Sequence, residues 1–363
     1  MNILALVTDA FGGFGGIAAY NRHFLRGMAA AGHTVTVLPL DGVGTTPPAI
    51  RQFAPKRSKP AYTLAVLSML ITKEHFDLVW CGHMGLVPLA RLAAMRYHCP
   101  WWLQIHGIDA WDSPGKIKRR AVATAARVTA VSRYTRRRFL AWASLAPEQV
   151  RVLPNTVDTR FTPGPKPREL LDRYGLFGKR VLLTVGRISA SESYKGHERV
   201  IQILPELLLD HPDAVYVIAG DGNGRPALER LAERLGVTAA CRFIGRVDET
   251  DLVEHYRMAD VFIMPSTGEG FGIVYLEAMA CGIPAIGLDC DGSADPLQAC
   301  ALGRAVSLEN LFAQIEASLA ERPYEAASLD NGLDKFAIPV FDDQVRILFG
   351  GHDRPADSTG TGA

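Results

Sequence analysis

The sequence predicts an α/β protein made of two consecutive parallel-sheet domains, and three observations carry that prediction. Short continuous apolar runs alternate with helical stretches along most of the chain, the βαβ rhythm of a parallel sheet. A segment holding four prolines and a glycine, VLPNTVDTRFTPGPKP, breaks that rhythm near the middle, and the alternation restarts after it. The length of 363 residues suits two domains of roughly 100–200 residues each. Parallel sheets carry ligand sites at their strand C-termini, so two of them imply a central cleft.

The elements follow in order. Ile3–Val7 is an apolar run bounded by FGGFGG at 11–16. Ile17–Ala31 then reads as a helix, with Ile17, Tyr20, Phe24 and Met28 on one face and Gly32 as its stop. Thr34–Leu40 is strand-like, and Leu78–Cys81, Trp101–Ile105 and Val128–Val131 are further strands separated by helical stretches. The linker covers Arg151–Pro167. Beyond it come Val181–Val185 (strand), Glu198–Leu209 (helix), Val215–Ala219 (strand), Ala227–Leu235 (helix) and Cys241–Ile244 (strand). Leu252–Met258 and Gly272–Ala280 are helices that alternate with strands at Val261–Met264 and Ala285–Leu288. Phe341–Leu348 is a last apolar helix, and the small, polar residues at 351–363 predict a disordered tail. The expected division is 1–155, 156–335, a closing helix at 336–350 that packs back on the first domain, and the tail.

Composition excludes several classes. With 39 Lys+Arg against 38 Asp+Glu the net charge is +1, which argues against a strongly basic nucleic-acid binder. The six cysteines form no C-x-x-C pair, so neither a zinc knuckle nor a disulfide framework is expected, and scattered thiols suit a reducing cytoplasm. MNILALVTDAFGG has no positive n-region and reads as a strand rather than a signal peptide. The longest apolar runs, such as Leu64–Ile71, fall far short of the ~20 residues that span a bilayer.

Chemistry concentrates in ADVFIMPSTGEGFGIVYLEAMACGIPAIG, residues 259–287. A buried strand runs into a loop with Gly268, Gly270 and Gly272, and a helix begins near Gly272. The N–H groups of Phe271, Gly272 and Ile273 at that helix start suit a phosphate or diphosphate. Glu269 stands beside this anion site and Glu277 in the second helical turn; as acceptor-only groups they suit sugar hydroxyls. Two glutamates eight apart are commonplace in any solvated helix region, so the pair alone decides little.

The arrangement resembles the E-x7-E motif of retaining glycosyltransferases of family four, which have the GT-B architecture of two Rossmann-like domains. LTVGRISASESYKG looks like the family's strand, Arg and later Lys-Gly pattern. The resemblance therefore implies that Arg187 and Lys195 grip the donor diphosphate, where two cations stabilise the charge of the departing group. AGDGNG (219–224) and FIGRVDETDL (243–252) look like further family segments, which puts the nucleobase near the backbone at Arg246 and Val247. As a bare glycine pattern GDGNG could equally be a strand-to-helix turn. PNTVD (154–158) resembles the family's P-N-G-V-D with Thr156 in place of Gly, a poor exchange wherever φ is positive. FGGFGGIAAYNR resembles the cleft-facing glycine loop, making Gly15 and Gly16 donor-binding candidates. QIHGID matches the strand-terminal H-G-x-D, which implies that His106 sits near the transferred sugar; the alternative for Asp109 is a cap on the following segment.

Two further patterns compete. Asp289-Cys290-Asp291 spells D-x-D, the metal motif of the other glycosyltransferase architecture, but Arg187 and Lys195 already supply positive charge, so a loop and no metal are expected. The nearby CDGSADPL departs from the family's G-G-x-x-E ending. Basic residues gather at 116–138 (Lys116, Lys118, Arg119, Arg120, Arg133, Arg136, Arg137, Arg138) without an aromatic-interleaved platform for nucleic acid. With Ile117 and Trp142 nearby, that stretch suits an anionic membrane surface.

The resulting expectation is a retaining, metal-independent hexosyltransferase without a cofactor. It moves a mannose- or glucose-type sugar from a GDP- or UDP-linked donor to a hydroxyl acceptor, lipid-linked, in polysaccharide or glycolipid assembly. It is expected to be cytoplasmic, peripheral at the inner face of the plasma membrane, with the first domain for the acceptor and the second for the donor. Glu269 would hold sugar hydroxyls and Glu277 the donor ribose. Rival readings are a GT-B-like epimerase, a phosphorylase (for which no Schiff-base lysine stands out) and a catalytically silent nucleotide-sugar-binding partner. A dehydrogenase is disfavoured because FGGFGG lacks the G-x-G-x-x-G register.

Overall fold

A computed structural model of the chain describes residues 1–320 and 332–350; the tail expected at 351–363 lies outside them. Seven strands form the first sheet: β1 (Asn2–Val7), β2 (Thr34–Pro39), β3 (Ile50–Gln52), β4 (Leu78–Cys81), β5 (Trp101–Ile105), β6 (Arg127–Ala130) and β7 (Val150–Val152). Their spatial order is β3-β2-β1-β4-β5-β6-β7. Six form the second: β8 (Arg180–Val185), β9 (Ala214–Ala219), β10 (Cys241–Gly245), β11 (Val261–Ile263), β12 (Ala285–Leu288) and β13 (Gly303–Val306), in the order β10-β9-β8-β11-β12-β13. Neighbouring strands pair in parallel, for example Asn2 with Thr34 and Val261 with Leu182.

The helices that separate these strands are α1 (Gly16–Ala30), α2 (Lys59–Leu70), α3 (Val87–Tyr97), α4 (Ile108–Trp111), α5 (Lys116–Val122), α6 (Arg133–Leu140) and α7 (Arg168–Arg173). The second half adds α8 (His197–Asp210), α9 (Arg225–Arg234), α10 (Leu252–Arg257), α11 (Ile273–Ala280), α12 (Ala294–Ala299), α13 (Leu311–Ala320) and α14 (Ile338–Leu348). The expected α/β class with two parallel sheets is what the chain forms.

Three strands carry no long apolar run. β3, β7 and β13 lie at sheet edges, are three or four residues long, and place an arginine (Arg51, Arg151, Arg304) inside. An edge strand buries only part of its surface, so it needs no continuous apolar sequence. The segment expected as linker from Arg151 therefore begins with the end of β7. In α1, Tyr20, Phe24 and Met28 are buried as the helical spacing predicts, but Ile17, in the first turn, is exposed.

The chain groups into two compact units: Met1–Gln104 and Gly115–Thr129 with the closing helix from Ile338, and Ile105–Pro114 with Ala130–Ala337. In the first, Phe24 stacks on Trp80 (4.9 Å, 9°), and Phe341 of α14 meets Tyr20 edge-on at 5.6 Å. Gly27 allows that approach of α14, since a Cβ there would stand 3.1 Å from Val345. The second unit's core joins Val200, Ile201, Leu204 and Leu207 of α8 to Tyr216, Ile218, Val261 and Ile286 from three strands. Burying such residues stabilises the fold by roughly 1.5–3 kcal/mol per large side chain.

Candidate active site

In a doubly wound sheet the strand order reverses at one point, and the loops leaving the two strands there diverge and open a crevice. In the second sheet that point lies between β8 and β11. The loop after β8 carries Arg187 and Lys195; the loop after β11 carries Glu269. Sequence separation of 74 residues notwithstanding, Lys195 Nζ donates to Glu269 Oε1 at 2.9 Å, with the two side chains 15% and 17% exposed. Burial pulls the Lys195 pKa down, Glu269 pushes it up, and the net shift is upward, so Lys195 is a cation at any physiological pH.

Hydrogen bonds to main-chain carbonyls hold these two loops together. Thr267 N–H donates to the Tyr194 carbonyl at 2.9 Å, and Arg199 reaches the Pro265 carbonyl at 2.8 Å. Gly196 caps α8 at φ 82°, and a Cβ there would stand 2.3 Å from the Pro265 oxygen. The Lys-Gly pair is thus a mostly buried cation on the Glu269 carboxylate, followed by the glycine that lets its strap lie flat. AGDGNG has a comparable explanation. A Cβ on Gly220 would stand 1.8 Å from the Gly186 oxygen, and Ile188 N–H donates to the Asp221 carbonyl at 3.0 Å. The glycine pattern is a turn whose main chain seats the segment bearing Arg187.

Arg187 itself is 76% exposed and ion-pairs with Glu192, which is 16% exposed. Glu192 carries no motif signal that would have singled it out. Val247 is half-buried two residues beyond β10, and Arg246 is exposed.

Glu269 is braced from both sides of its peptide. Its N–H donates to Asp291 Oδ2 at 2.7 Å, and its carbonyl accepts from Gly292 N–H at 2.9 Å. The other Asp291 oxygen accepts from Ser293 N–H at 2.9 Å and Ser293 Oγ at 2.6 Å. Of the D-x-D pattern, then, Asp291 is buried and committed to this loop, while Asp289 is exposed. The sequence signal of Asp291 was real, but its chemistry is that of a loop clamp.

His106 directly follows β5, half-buried, and its N–H meets Asp109 Oδ1 at 3.3 Å, so Asp109 turns back on the strand end. A Cβ on Gly270 would stand 1.8 Å from the His106 carbonyl oxygen. The structure thus brings the His106 main chain directly against the Glu269 loop. Thr156 needs no positive φ, and its hydroxyl instead donates to the Phe336 carbonyl. Phe336 in turn packs edge-on to Phe271 at 5.8 Å.

Gly272 caps α11 in the left-handed region, and the Phe271, Gly272 and Ile273 amides belong to the helix start, where N–H groups lack intrahelical partners. Glu277, in the second turn, accepts from the Tyr256 hydroxyl at 2.7 Å. Desolvation raises its pKa to about 7; the Tyr256 bond and Arg160 oppose that rise, and Glu249 and Asp158 add to it. Gly15 and Gly16 lie in the first unit, at the start of α1. Gly15 has φ 85° and nothing within 4 Å of where a Cβ would stand. They occupy the switch point of the first sheet, between β1 and β4.

The basic stretch divides. Arg133 pairs with Asp295 at 3.1 Å, Arg136 donates to the Val150 and Pro147 carbonyls, and Trp142 Nε1 donates to the Ala110 carbonyl. On α5, by contrast, Lys116, Ile117, Arg119 and Arg120 are exposed. A 660 Å³ cavity lined by Lys166, Arg180, Asp213, Asp260 and Pro284 lies at the opposite, N-terminal edge of the second sheet. Within it Lys166 pairs with Asp260 and Arg180 with Asp213.

Two doubly wound parallel sheets in tandem are the GT-B architecture, and this chain is a GT-B fold. The HepE protein of Anabaena, solved with UDP and glucose, superposes with a TM-score of 0.75 over 96% of this chain and 99% of that one, at 19% identity. Residues 14–161 match the family described as Glycosyltransferase Family 4, and residues 171–303 match Glycosyl transferases group 1. The chain belongs to glycosyltransferase family 4.

Among its relatives is a GDP-mannose-dependent alpha-(1-6)-phosphatidylinositol monomannoside mannosyltransferase of Mycolicibacterium smegmatis. It is 36% identical over 238 residues, 61% of this chain and 60% of that protein. A D-inositol 3-phosphate glycosyltransferase of Catenulispora acidiphila is 28% identical over 335 residues, 78% of this chain and 76% of that protein. The chain thus aligns with about three-fifths of the mannosyltransferase's length.

Proposed function

We propose that this protein is a retaining hexosyltransferase that moves mannose from GDP-mannose to a hydroxyl of a lipid-linked acceptor, without a metal ion or other cofactor. The observation that carries the reading is the Lys195–Glu269 pair at the switch point, beside the free amides that open α11. The donor and the phosphatidylinositol-type acceptor are suggested by relatives that are GDP-mannose-dependent phosphatidylinositol monomannoside mannosyltransferases.

In the mechanism, Arg187, Lys195 and the Phe271, Gly272 and Ile273 amides surround the diphosphate. These donors strengthen as charge develops on the leaving group, which lowers the barrier. Glu269 orients sugar hydroxyls and Glu277 takes the ribose. Because Glu269 is engaged by Lys195, it is poorly suited to attack the anomeric carbon. The front-face route fits better: the leaving diphosphate accepts the acceptor proton as the new C–O bond forms on the same face. His106 helps to position the transferred sugar, and Gly15, Gly16 and Val247 complete the donor contacts at the glycine loop and the base. Both oxygens of Asp291 already serve the loop, which is why a metal bridge through D-x-D is not part of this reading.

The test incubates the protein with GDP-mannose, UDP-glucose and UDP-galactose and vesicles containing phosphatidylinositol, with and without a chelator. A mannolipid formed from GDP-mannose, with unchanged rate in the chelator, is the expected result. A rate abolished by chelation sinks the metal-independent mechanism; no sugar transfer from any donor sinks the function.

Glu277 makes the donor affinity pH-dependent. With its pKa raised to about 7, the acceptor form that holds ribose hydroxyls is lost as pH falls through that value. The donor KM is expected to rise below pH 7 by up to about tenfold per unit. In Glu277→Gln the KM should be high and flat across the same range. A wild-type KM that is flat from pH 8 to 6 would remove Glu277 from the ribose site.

We place membrane contact on the first unit. No helix among the described residues is long and apolar enough to cross a membrane. On α5, however, Ile117 is 77% exposed among Lys116, Lys118, Arg119 and Arg120. α3 packs against both α5 and α2, and these helices leave Met95, Leu64 and, just past α2, Ile71 exposed. Apolar residues among cations suit an anionic bilayer surface. The protein is expected to float with vesicles rich in anionic lipid, and Ile117→Glu to weaken this by about tenfold or more, because the burial of one large side chain is lost and the new carboxylate is repelled by the surface. Equal flotation of wild type and variant would exclude α5.

A further inference from the structure

Three main chains meet around the Glu269 loop. A Cβ on Gly107 would stand 2.8 Å from Gly270 Cα, and one on Gly292 would stand 2.0 Å from the Gly270 oxygen. The strand end bearing His106 and the loop bearing Glu269 are therefore in van der Waals contact through glycines alone. Such contact fixes distance but not direction, because glycine backbones can slide over one another.

The Gly270 carbonyl has a directional partner. Thr135, on α6 and fully buried, donates its hydroxyl to that carbonyl at 3.2 Å. The same hydroxyl oxygen accepts from Trp111 Nε1 at 3.2 Å, and the Thr135 N–H donates to Ser132 Oγ at 3.0 Å. Trp111 closes α4, the turn that follows His106 and Gly107. A Cβ on Gly107 would touch its ring at 3.9 Å. The hydroxyl thus accepts from the His106 side and donates to the Glu269 side.

We infer that Thr135, with Trp111, is a positioning residue that keys the His106 strand end to the Glu269 loop and so sets the geometry of the transferred sugar. This rests on the reading of that loop as the donor-sugar site. Of the nucleotide grips, Arg187, Lys195 and Glu277 hang from other elements, and the Phe271–Ile273 amides alone share this loop. Losing the key should therefore lower turnover far more than it weakens nucleotide binding. Thr135 is not itself a catalytic residue, since it touches only protein atoms.

Valine and serine substitutions separate the hydroxyl from packing. Thr135→Val keeps the shape and strands two buried polar groups, the Gly270 carbonyl and the Trp111 N–H; Thr135→Ser keeps the hydroxyl and loses a methyl. If Thr135 only fills space, serine is the worse variant. If it keys the loop, valine is.

The expected results are read on the intact protein. Thr135→Val should lower kcat with GDP-mannose about tenfold or more while the Kd for GDP changes less than about twofold. It should also speed amide exchange in the 266–273 peptide. Thr135→Ser should restore both rate and protection. Exchange in Thr135→Val equal to wild type, or kcat within twofold of Thr135→Ser, would overturn the inference. The exchange arm needs no donor, so a protein that ignores GDP-mannose would refute the proposed function while the keying is still decided.

Discussion

Lys195→Ala is expected to lower kcat/KM for the donor by about a thousandfold, the largest effect of any single side chain in the site. Two losses coincide. The leaving diphosphate loses a cation that is mostly buried and hence weakly screened by solvent. Glu269, only 17% exposed, loses the partner that neutralises it and then confronts an anion. Arg187→Ala should cost only about tenfold, because that guanidinium is 76% exposed and is shared with Glu192. Lys195→Arg tests whether charge alone suffices. The strap between Tyr194 and Gly196 is pinned to the loop by main-chain contacts, so a longer forked side chain should displace Glu269 and rescue poorly. Steady-state kinetics decide the matter: Lys195→Ala within tenfold of wild type would mean that the diphosphate is held elsewhere.

How much of this was legible in the sequence depended on the range over which each signal acts. Strands such as β4, β5 and β12 are short apolar runs between breakers, a local signal, and residues 78–81, 101–105 and 285–288 match their observed bounds. β3, β7 and β13 are edge strands, and the pairing that makes them strands comes from a neighbour remote in sequence. Local composition carries no record of that neighbour. Ile17 shows the converse limit: helical spacing assigns a face, but a first-turn residue can lie beyond what the sheet covers.

The site divides the same way. A resemblance marked Glu269, Glu277, Arg187 and Lys195, since the spacing of the two glutamates alone decides little, but only the switch-point geometry brings Lys195 onto Glu269. Asp291 stood out as part of D-x-D, yet its meaning depends on an amide 22 residues earlier. Thr135 and Glu192 had no signal. Each is an ordinary polar residue whose weight comes from what lies across the fold. Charge counting misled in one respect. The arginines of α6 were grouped with those of α5, whereas Arg133 and Arg136 are occupied by Asp295 and by main-chain carbonyls.

Gly270→Ala should be among the most destabilising single methyl additions in the site. The new Cβ would stand 1.8 Å from the His106 oxygen and 2.8 Å from its carbonyl carbon, and main chain cannot rotate away as a side chain can. Gly270 does not have positive φ, so the whole cost is crowding. About 3 kcal/mol is expected, which lowers Tm by roughly 6–12 °C. Two controls separate space from dihedral strain. Gly15→Ala meets nothing within 4 Å but sits at φ 85°, and about 1 kcal/mol is expected. Gly115→Ala meets nothing within 4 Å at φ −56° and should change stability by less than about 0.5 kcal/mol. The ordering Gly270, Gly15, Gly115 is therefore the result to look for in thermal melts. If Gly270→Ala melts with Gly115→Ala, the His106 strand end and the Glu269 loop are not in contact. The keying by Thr135 would then lose its premise, because a hydroxyl can orient two chains only where glycines have already let them touch.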